Sequence, residues 1–416
     1  MAEFFNTGIL MRQHDIILIA NEPWENFTWR RRHHVAWALS KKHKVLFVEP
    51  PCTVLTPARG RNISWRQLMN LGRLKHRGRN LYSYSPLKML PLSLPFSDMF
   101  DFDGINRKTA LAGLKRAAEE IKIKDPILWV YFSPEQYDYY GLLGEILAVG
   151  DIYDKFGAPT WKGMLPEHSS MLQRRQDFLI KKSDIVFTVS QGLYDELERV
   201  HPSVYLIPNG VDYESFEDST RRESAGAIKG LKAPVLGFLG MLHYKVDFVL
   251  LNYIAKTHPE WTLLLMGKDN IHDDEDRKAF NELKGRRNVR WCKEIDREAI
   301  PCFLSMADVC LVPLKKLEMN RYANFLKVWE YLAAGKPVVA VDQGVHFEYQ
   351  DMIRFAGSKE EFVRNIYDSL NADTGEDLVM RRKHIAKSNS WENRTEKMLG
   401  IVEETLATRV IACNEV

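Results

Sequence analysis

Residues 324–341 read N-F-L-K-V-W-E-Y-L-A-A-G-K-P-V-V-A-V, and they combine a helix, a helix stop and a strand. Leu326, Trp329 and Leu332 recur at the spacing of one helix face, which predicts an amphipathic helix. A glycine and a proline then end that helix. The run at 338–341, V-V-A-V, is apolar and β-branched, as is typical of a strand buried within a parallel sheet. The stretch therefore predicts an α/β fold.

Lys327 and Glu330 lie three residues apart at the start of this predicted helix. Residues at i and i+3 share a helix face, so an ammonium and a carboxylate are presented together where the helix backbone favours an anion. A ligand that carries both phosphate and sugar hydroxyls would suit the pair. Ordinary surface ion pairs have the same spacing, so the spacing alone leaves both interpretations open.

The strand and helix patterns occur in two successive series. Residues 15–20 and 44–49 are short apolar runs on either side of a helical segment, which predicts a βαβ unit with parallel strands. A polar passage at 214–232 precedes a second series, which begins with the run at 235–239. Two such halves would face each other across a cleft lined by the carboxyl ends of their strands. We therefore predict two Rossmann-like domains.

A length of 416 residues is that of two ordinary domains. We predict an N-terminal acceptor-binding domain at 1–208, a linker at 209–232 and a C-terminal donor-binding domain at 233–390. A closing helix at 391–416 is predicted to cross back to the N-terminal domain.

Composition and motifs exclude several classes of function. Apolar residues make up 45% and charged residues 27%, as in ordinary globular proteins. A net charge of +3 without a binding motif argues against nucleic acid. The patterns G-x-G-x-x-G and G-x-x-x-x-G-K-[ST] are absent, which argues against nicotinamide cofactors and P-loop nucleotidases. The five cysteines form no C-x-x-C pair, so neither a metal site nor a disulfide framework is predicted.

The sequence also indicates a location. No apolar run is long enough to span a membrane, and the first residues lack the order of a secretory signal. We therefore expect a cytoplasmic protein.

One segment of the chain is strongly basic. Residues 50–97 contain no acidic residue but eight lysines and arginines, among them Arg73, Lys75, Arg77 and Arg79. Apolar side chains lie between these charges, as in a peripheral helix on an anionic membrane. A solvated loop and helix would have the same composition. The segment predicts an acceptor-side or membrane-facing surface, with the solvated alternative open.

Several stretches resemble a known family. Residues 207–216, I-P-N-G-V-D-Y-E-S-F, resemble the interdomain signature of GT-B glycosyltransferases of the retaining family 4, or group 1. W-R-R-R-H-H-V-A-W-A-L-S with V-L-F-V-E-P-P is similar to the first βαβ unit of the branch that makes bacterial surface polysaccharides. A-D-V-C-L-V-P-L and the stretch 324–341 resemble the donor site. The resemblance covers most of the chain and implies transfer of a sugar from a nucleotide sugar, with retention.

The resemblance implies roles for four residues. Glu330 would bind the ribose hydroxyls of the nucleotide sugar. Lys327 and Lys245 would face its diphosphate, and Gly240 would let the backbone approach. Cations are useful there because negative charge grows on the nucleoside diphosphate as it leaves.

Four further residues complete the predicted donor site: Tyr322, Asn324, Lys268 and Lys293. The family usually carries a second glutamate eight positions before the ribose-binding one, and this chain has Tyr322 there. Main-chain amides at 320–323 would then hold the sugar in place of that carboxylate. The donor would be linked to UDP, GDP or dTDP, and no separate cofactor is expected.

Two residues of the first domain are candidates for the reacting centre. Asp154 lies in I-Y-D-K-F, which matches the Tyr-Asp-x-x-Asp-Asp motif of the same branch less well. It would be either a polar contact at the reacting sugar or a cap at a strand end. His33 would lie beside the cleft, although a helix histidine among arginines is more often a surface residue.

The expected protein is a cytoplasmic, metal-independent glycosyltransferase. Its acceptor would be a glycan or a lipid-diphosphate-linked sugar, reached at the inner face of the cytoplasmic membrane. One alternative is a sugar-nucleotide epimerase of the same fold. Another is a catalytically silent GT-B module that binds a glycan or a partner protein, and the missing glutamate is its best support.

Overall fold

The computed structural model describes residues 13–25, 29–51, 71–88, 102–132, 138–155, 166–217, 230–293, 296–344, 349–372 and 374–414. The chain forms two compact units. The first unit comprises residues 1–188, 194–207 and 395–416, and the second comprises 189–193 and 208–394.

The first unit contains an eight-stranded sheet in the order β3-β4-β2-β1-β5-β6-β7-β8. The neighbouring strands are parallel, except that β3 runs antiparallel to β4. The strands are β1 (Asp15–Ile19), β2 (Lys44–Val48), β3 (Leu74–Gly78), β4 (Leu81–Tyr84), β5 (Ile127–Tyr131), β6 (Leu147–Ile152), β7 (Ile185–Thr188) and β8 (Val204–Leu206).

Strands β5 and β6 are buried at every position, as expected of strands covered on both faces by helices. The helices of this unit are α1 (Arg31–Leu39), α2 (Phe102–Glu120) and α3 (Pro166–Lys182). Two further helices, α4 (Gln191–Leu197) and α12 (Trp391–Asn414), contain residues of both units. The strand order reverses between β1 and β5, which makes the carboxyl ends of these two strands a topological switch point.

The basic segment is a hairpin where the structure describes it. Its residues 52–70 and 89–97 lie outside the described residues. Strands β3 and β4 pair across a bulge between His76 and Gly78, and β4 extends the parallel sheet beside β2. The predicted peripheral helix is therefore wrong for this part of the segment. Pairing with β2 satisfies the backbone of β4, and Gly78 and Arg79 turn the chain at φ values of 103° and 50°.

The second unit contains a six-stranded, wholly parallel sheet in the order β11-β10-β9-β12-β13-β14. Counted within the unit, this is the order 3-2-1-4-5-6 of dinucleotide-binding folds, whose switch point lies between the first and fourth strands. Here these are β9 and β12. The strands are β9 (Val235–Leu239), β10 (Thr262–Met266), β11 (Val289–Cys292), β12 (Val309–Val312), β13 (Val338–Val341) and β14 (Ile353–Ala356).

The helices of the second unit are α5 (Glu214–Glu217), α6 (Phe248–Thr257), α7 (Asp274–Lys284), α8 (Ile300–Ser305), α9 (Leu326–Ala333), α10 (Lys359–Ala372) and α11 (Glu376–Ser388). Within the described part of the chain, no helix is both long and apolar enough to cross a membrane.

The stretch 324–341 folds as its pattern predicts, with α9 followed by β13. Gly335 ends the helix with a φ of 73°, in the left-handed region. Its N–H donates to the carbonyl of Leu332, and the N–H of Lys336 donates to that of Tyr331. These two bonds are those of a Schellman motif, which satisfies carbonyls at the helix end. The short turn delivers the chain directly into the sheet.

Candidate functional site

The loop after β9 approaches the first turn of α9 at the switch point of the second unit. Gly240 follows β9 with a φ of 142°, a conformation that residues with a side chain rarely adopt. A Cβ atom there would lie 2.9 Å from the Nζ of Lys327. The missing side chain therefore makes room for the ammonium beside the backbone, next to Phe238 at 4.4 Å from its ring centre.

A second glycine packs against the first. Gly267 follows β10 with a φ of 147°, and a Cβ on it would lie 2.0 Å from the carbonyl oxygen of Gly240. The two loops can approach this closely only because residue 267 is a glycine. The sequence patterns do not single out Gly267. Its position directly after a predicted strand is the signal that could have identified it.

The pKa of Lys327 is lowered to about 8. Burial is the largest cause, the charge of Glu330 opposes it, and the like charge of Lys245 adds to it. Both lysines are half-buried. Two cations that repel each other at the end of a sheet favour a bound anion between them.

The carboxyl group of Glu330 has a pKa raised to about 7. Burial is the main cause; the positive charges of Lys327 and Arg297 oppose it, and Asp212 adds to it. Within the described residues, no hydrogen bond or ion pair engages the side chain of Glu330. Its oxygens are thus available to accept hydrogen bonds from the hydroxyls of a ligand.

Arg297 and Asp212 form an ion pair near Glu330 that the sequence patterns do not predict. Arg297 begins a short 3₁₀ turn after β11, and Asp212 lies in the I-P-N-G-V-D stretch. The two residues are 85 positions apart in the chain, so only the fold brings them together.

Asn324 connects the same stretch to α9. Its side-chain oxygen accepts hydrogen bonds from the N–H of Asn209 at 3.1 Å and from Nε1–H of Trp329 at 3.2 Å. Its carbonyl oxygen accepts one from the side-chain amide of Asn209 at 2.7 Å. These contacts give Asn324, which is predicted to bind the donor, a positioning role beside Lys327 and Glu330.

The segment before α9 is held largely by its backbone. Its short helix, Glu318–Tyr322, ends with the carbonyl of Tyr322 accepting a hydrogen bond from Oγ of Ser190 at 3.0 Å. The N–H groups of Asn320 and Ala323 donate within this turn. Two of the main-chain amides that could replace the missing carboxylate are therefore already engaged.

The remaining predicted lysines lie at the same edge of the sheet. Lys268 follows Gly267 and is exposed, with its carbonyl accepting from the N–H of Leu242 at 2.8 Å. Lys293 is exposed after β11, and its Nζ lies 5.3 Å from the ring centre of Trp291. Nε1–H of Trp291 donates to the carbonyl of Gly267 at 3.0 Å, which fixes the ring.

In the first unit, Arg31 and Asp151 form a fully buried ion pair. Nε of Arg31 lies 2.8 Å from Oδ1 of Asp151, and Nη1–H donates to the carbonyl of Ile207 at 2.9 Å. Nε1–H of Trp129 donates to the other carboxylate oxygen at 3.4 Å. This pair joins α1, β6 and the end of β8, and the sequence patterns do not predict it.

His33 is buried beside the same helix start. Its Nδ1 accepts from the N–H of Arg30 at 3.2 Å, so its Nε2–H donates to the carbonyl of Pro23 at 3.0 Å. Burial lowers the pKa of the ring to about 4, which keeps it neutral. Both ring nitrogens form hydrogen bonds with backbone groups, and these contacts favour a structural role for His33 over the predicted catalytic role.

Asp154 follows β6 and is half-buried. Its Oδ1 accepts from the N–H of Lys155 at 2.9 Å, which is the geometry of a cap at a strand end. The ammonium of Lys155 pairs with Glu196 at 2.7 Å. This bond agrees with the cap, and the predicted contact with the reacting sugar stays a prediction.

The four basic residues of the hairpin do not share one surface. Arg73 and Arg79 are exposed, and Arg79 lies over the ring of Trp37 at 4.4 Å. Lys75 is half-buried. Arg77 turns inward and pairs with Glu25 at 2.7 Å while donating to Oγ of Ser83 at 2.7 Å. Arg77 therefore does not contribute to the predicted four-residue basic patch.

No group of three or more His, Cys, Asp or Glu side chains that could hold a metal ion lies within the described ranges. The prediction of a metal-independent reaction stays a prediction.

Comparison with known proteins agrees with this arrangement. Residues 233–371 match the family model described as glycosyl transferases group 1. A Bacillus subtilis (strain 168) protein named as a teichuronic acid biosynthesis glycosyltransferase, TuaH, is 27% identical over 225 residues. The match covers 51% of this chain and 55% of that protein, so the chain spans about half the length of this curated relative.

Three solved structures have a similar fold. Sucrose-phosphate synthase from Thermosynechococcus elongatus has a TM-score of 0.69 at 15% identity, over 95% of this chain and 100% of its own. The catalytic domain of Arabidopsis thaliana starch synthase IV, bound to ADP and acarbose, has a TM-score of 0.63 at 13% identity, over 95% and 100%. Anabaena HepE in complex with UDP and glucose has a TM-score of 0.59 at 13% identity, over 94% and 100%.

At such low identity these structures show the fold alone. They confirm the predicted α/β class with two Rossmann-like sheets of the GT-B type.

Proposed function

We propose that the chain is a glycosyltransferase that takes its sugar from a nucleotide-sugar donor. The observation that carries this proposal is the arrangement at the β9–β12 switch point, where Lys327 and Lys245 repel each other near Glu330. No side chain of the described residues forms a hydrogen bond or ion pair with the Glu330 carboxylate. A diphosphate would lie between the cations, and ribose hydroxyls would donate to Glu330. The group 1 match covers all of these residues.

The residues would act on the leaving group. Negative charge develops on the nucleoside diphosphate as its bond to the sugar breaks, and cations fixed in advance stabilise that charge without reorganising. Gly240 lets the ammonium of Lys327 lie against the backbone, so the cation is positioned by packing rather than by a flexible stem. Retention of configuration is part of the proposal and rests on the resemblance to family 4.

The acceptor is proposed to be a glycan or lipid-linked sugar in cell-surface polysaccharide assembly. The name of the Bacillus relative, which refers to teichuronic acid biosynthesis, supports this. We further propose that the chain is cytoplasmic and binds the membrane peripherally. The exposed Arg73 and Arg79 support a contact with anionic lipid.

The donor proposal is tested by binding and hydrolysis of UDP-, GDP- and dTDP-linked sugars by the full chain and by Glu330→Ala. One nucleotide series should bind to the parent, and the variant should bind it at least about tenfold more weakly, since it loses hydrogen bonds to a charged acceptor. Glu392→Ala, on α12, is a matched control and should bind like the parent. Failure of the parent to bind any of the three series, or equal binding by Glu330→Ala, would reject the proposal.

A further inference from the structure

The first turn of α1 is unusually basic. Residues 30–33 read R-R-R-H, and no acidic residue lies in that turn. The start of a helix carries a partial positive charge, so guanidinium groups there are unfavourable unless anions lie close by. The helix also follows β1, whose carboxyl end is part of the switch point with β5, where open α/β sheets bind their ligands.

Two carboxylates compensate part of this charge. Asp151 compensates the charge of the buried Arg31 through Nε, while Nη1 of Arg31 donates to the carbonyl of Ile207. Glu22 serves both other arginines, with one oxygen 3.2 Å from Nη1 of Arg30 and the other 3.0 Å from Nη1 of Arg32. A single carboxylate is thus shared between two guanidinium groups.

The other charged or titratable groups near this turn form hydrogen bonds or ion pairs with groups other than the side chains of Arg30 and Arg32. Asp154, whose charge acts on Tyr153, accepts a hydrogen bond from the N–H of Lys155. Lys155 in turn pairs with Glu196. His33 is neutral, with both ring nitrogens on backbone groups.

Arg32 has a hydrogen-bond donor that the described residues do not satisfy. The residue is only 1% exposed, and its Nε is buried without a hydrogen-bond partner, while its Nη1 is engaged by the ion pair with Glu22. Its guanidinium group is held in place by aromatic rings, 4.6 Å from the centre of Tyr153 and 5.8 Å from that of Tyr131. Buried donors without acceptors cost free energy, and a guanidinium fork kept at fixed orientation is suited to a planar pair of oxygens.

We propose that Arg32, with Arg30 and the first-turn amides of α1, forms a phosphate subsite for the acceptor. It rests on the proposed glycosyltransferase function and names the chemistry of its second substrate, a phosphate monoester or diphosphate. Arginine binds phosphate oxygens in bidentate fashion, and the N–H groups at a helix start add donors directed at the same anion.

Glu22 occupies the place of that anion in the absence of ligand. Its side chain is 19% exposed and can turn outward while it keeps Arg30, which is 46% exposed. The incoming phosphate would replace the carboxylate at Nη1 of Arg32 and supply the acceptor that Nε lacks. Removal of the charge of Glu22 should therefore strengthen phosphate binding, whereas a purely structural Arg32–Glu22 pair predicts no such gain.

The test is calorimetric titration of the full chain with inorganic phosphate at low ionic strength, in a Lys327→Met background that weakens the donor site. Arg32→Gln should bind phosphate at least about tenfold more weakly, and Arg32→Lys should lie between it and the parent, because lysine keeps the charge but not the fork. Glu22→Gln should bind several-fold more tightly. Equal affinity in Arg32→Gln, or no phosphate binding by any variant, would overturn the proposal.

Because Arg32 is buried, folding must be controlled. Circular dichroism and urea unfolding of each variant identify any that do not fold. The exposed Arg30→Gln keeps the proposal testable if Arg32→Gln unfolds, since it should also weaken phosphate binding by several-fold. Parent-like binding by a folded Arg30→Gln would then count against the subsite.

Two sources of the phosphate can be separated. A lipid headgroup is indicated if the parent sediments with phosphatidic acid vesicles but not with phosphatidylglycerol vesicles, and if Arg32→Gln loses this sedimentation. Binding of a soluble hexose phosphate, lost in the same variant, indicates a free phosphate ester. Binding of neither probe contradicts the subsite. Nucleotide-sugar binding by Arg32→Gln should equal that of the parent, so failure of the donor proposal and failure of this subsite give different results.

Discussion

A Cβ atom at position 240 would lie 2.9 Å from the ammonium nitrogen of Lys327, so the glycine and the lysine share one small space at the end of β9. The relation makes Gly240 part of the proposed donor site although it has no side chain. The φ of Gly240, 142°, and the position of the Lys327 ammonium therefore depend on the same absence of a side chain.

Gly240→Ala should weaken nucleotide-sugar binding by about tenfold or more. The added methyl group collides with the ammonium, and the backbone conformation costs about 1–3 kcal/mol for a residue with a side chain. Titration of the donor measures the effect. Gly400→Ala is the control, because a Cβ there meets nothing within 4 Å. Equal donor affinity in both variants would show that position 240 does not shape the site.

Lys327→Met should lower donor affinity by about 10- to 100-fold, the loss expected for a hydrogen bond to a charged group. The loss should be larger for a nucleoside diphosphate than for the nucleoside alone, because the missing charge faces phosphate. Lys256→Met, on the exposed end of α6, should bind like the parent. A similar loss for the nucleoside would place Lys327 away from the diphosphate.

The titration of Glu330 predicts a pH dependence of stability. Its folded-state pKa is raised from 4.5 to about 7, so the folded chain binds this proton more tightly than the unfolded chain does. The stabilising contribution is complete below pH 4.5 and is lost as pH rises through about 7. Glu330→Gln should therefore gain stability relative to the parent between these pH values. Urea unfolding at a series of pH values measures the difference, and a constant gap would contradict the raised pKa.

Asp151→Asn should destabilise the first unit by about 3–5 kcal/mol, because it leaves the charge of Arg31 buried without its partner. The side chains of the pair are 3% and 0% exposed. Glu396→Gln breaks the pair of Glu396 with Lys42, whose side chains are 53% and 52% exposed, and should cost only about 0–1 kcal/mol. Urea unfolding followed by tryptophan fluorescence compares the two, and equal losses would contradict the assignment.

Membrane binding, if it uses the β3–β4 hairpin, should depend on the exposed arginines only. Neutralising Arg73 and Arg79 together should weaken sedimentation with anionic vesicles by about tenfold or more, at about 1 kcal/mol per charge near the surface. Arg77→Gln should leave vesicle binding unchanged, because Arg77 faces Glu25 and lies 3.9 Å from Glu49. An effect of Arg77→Gln equal to that of the double variant would reject this surface.

Local patterns predict the second unit better than the first. The periodicity of 324–341 predicts α9 and β13. The same stretch contains Lys327 and Glu330, so one pattern predicts both the element boundaries and the proposed donor residues. The basic segment lacks this agreement. Its charges and apolar residues fit a surface helix or a strand equally well. The segment forms strands because β4 pairs with β2, which is distant in the chain.

Pairings between distant residues account for most of what the sequence does not predict. In the sequence nothing distinguishes Arg77 from its basic neighbours. In the structure it forms an ion pair with Glu25, 52 residues away. Arg31 and Asp151 are 120 residues apart, and Arg297 and Asp212 are 85 apart. No local pattern indicates such partners, because each depends on how the sheets are ordered.

The contact between Gly267 and Gly240 bears on attempts to change the preferred donor. A side chain at 267 would push the carbonyl of Gly240, and with it the loop that makes room for Lys327, although position 267 contributes no side chain to any ligand. Libraries that vary both glycines would therefore contain mostly members with a displaced ammonium. Engineering of the sugar preference should keep both glycines and vary Tyr322, where the glycosyltransferases that the sequence resembles usually have a glutamate.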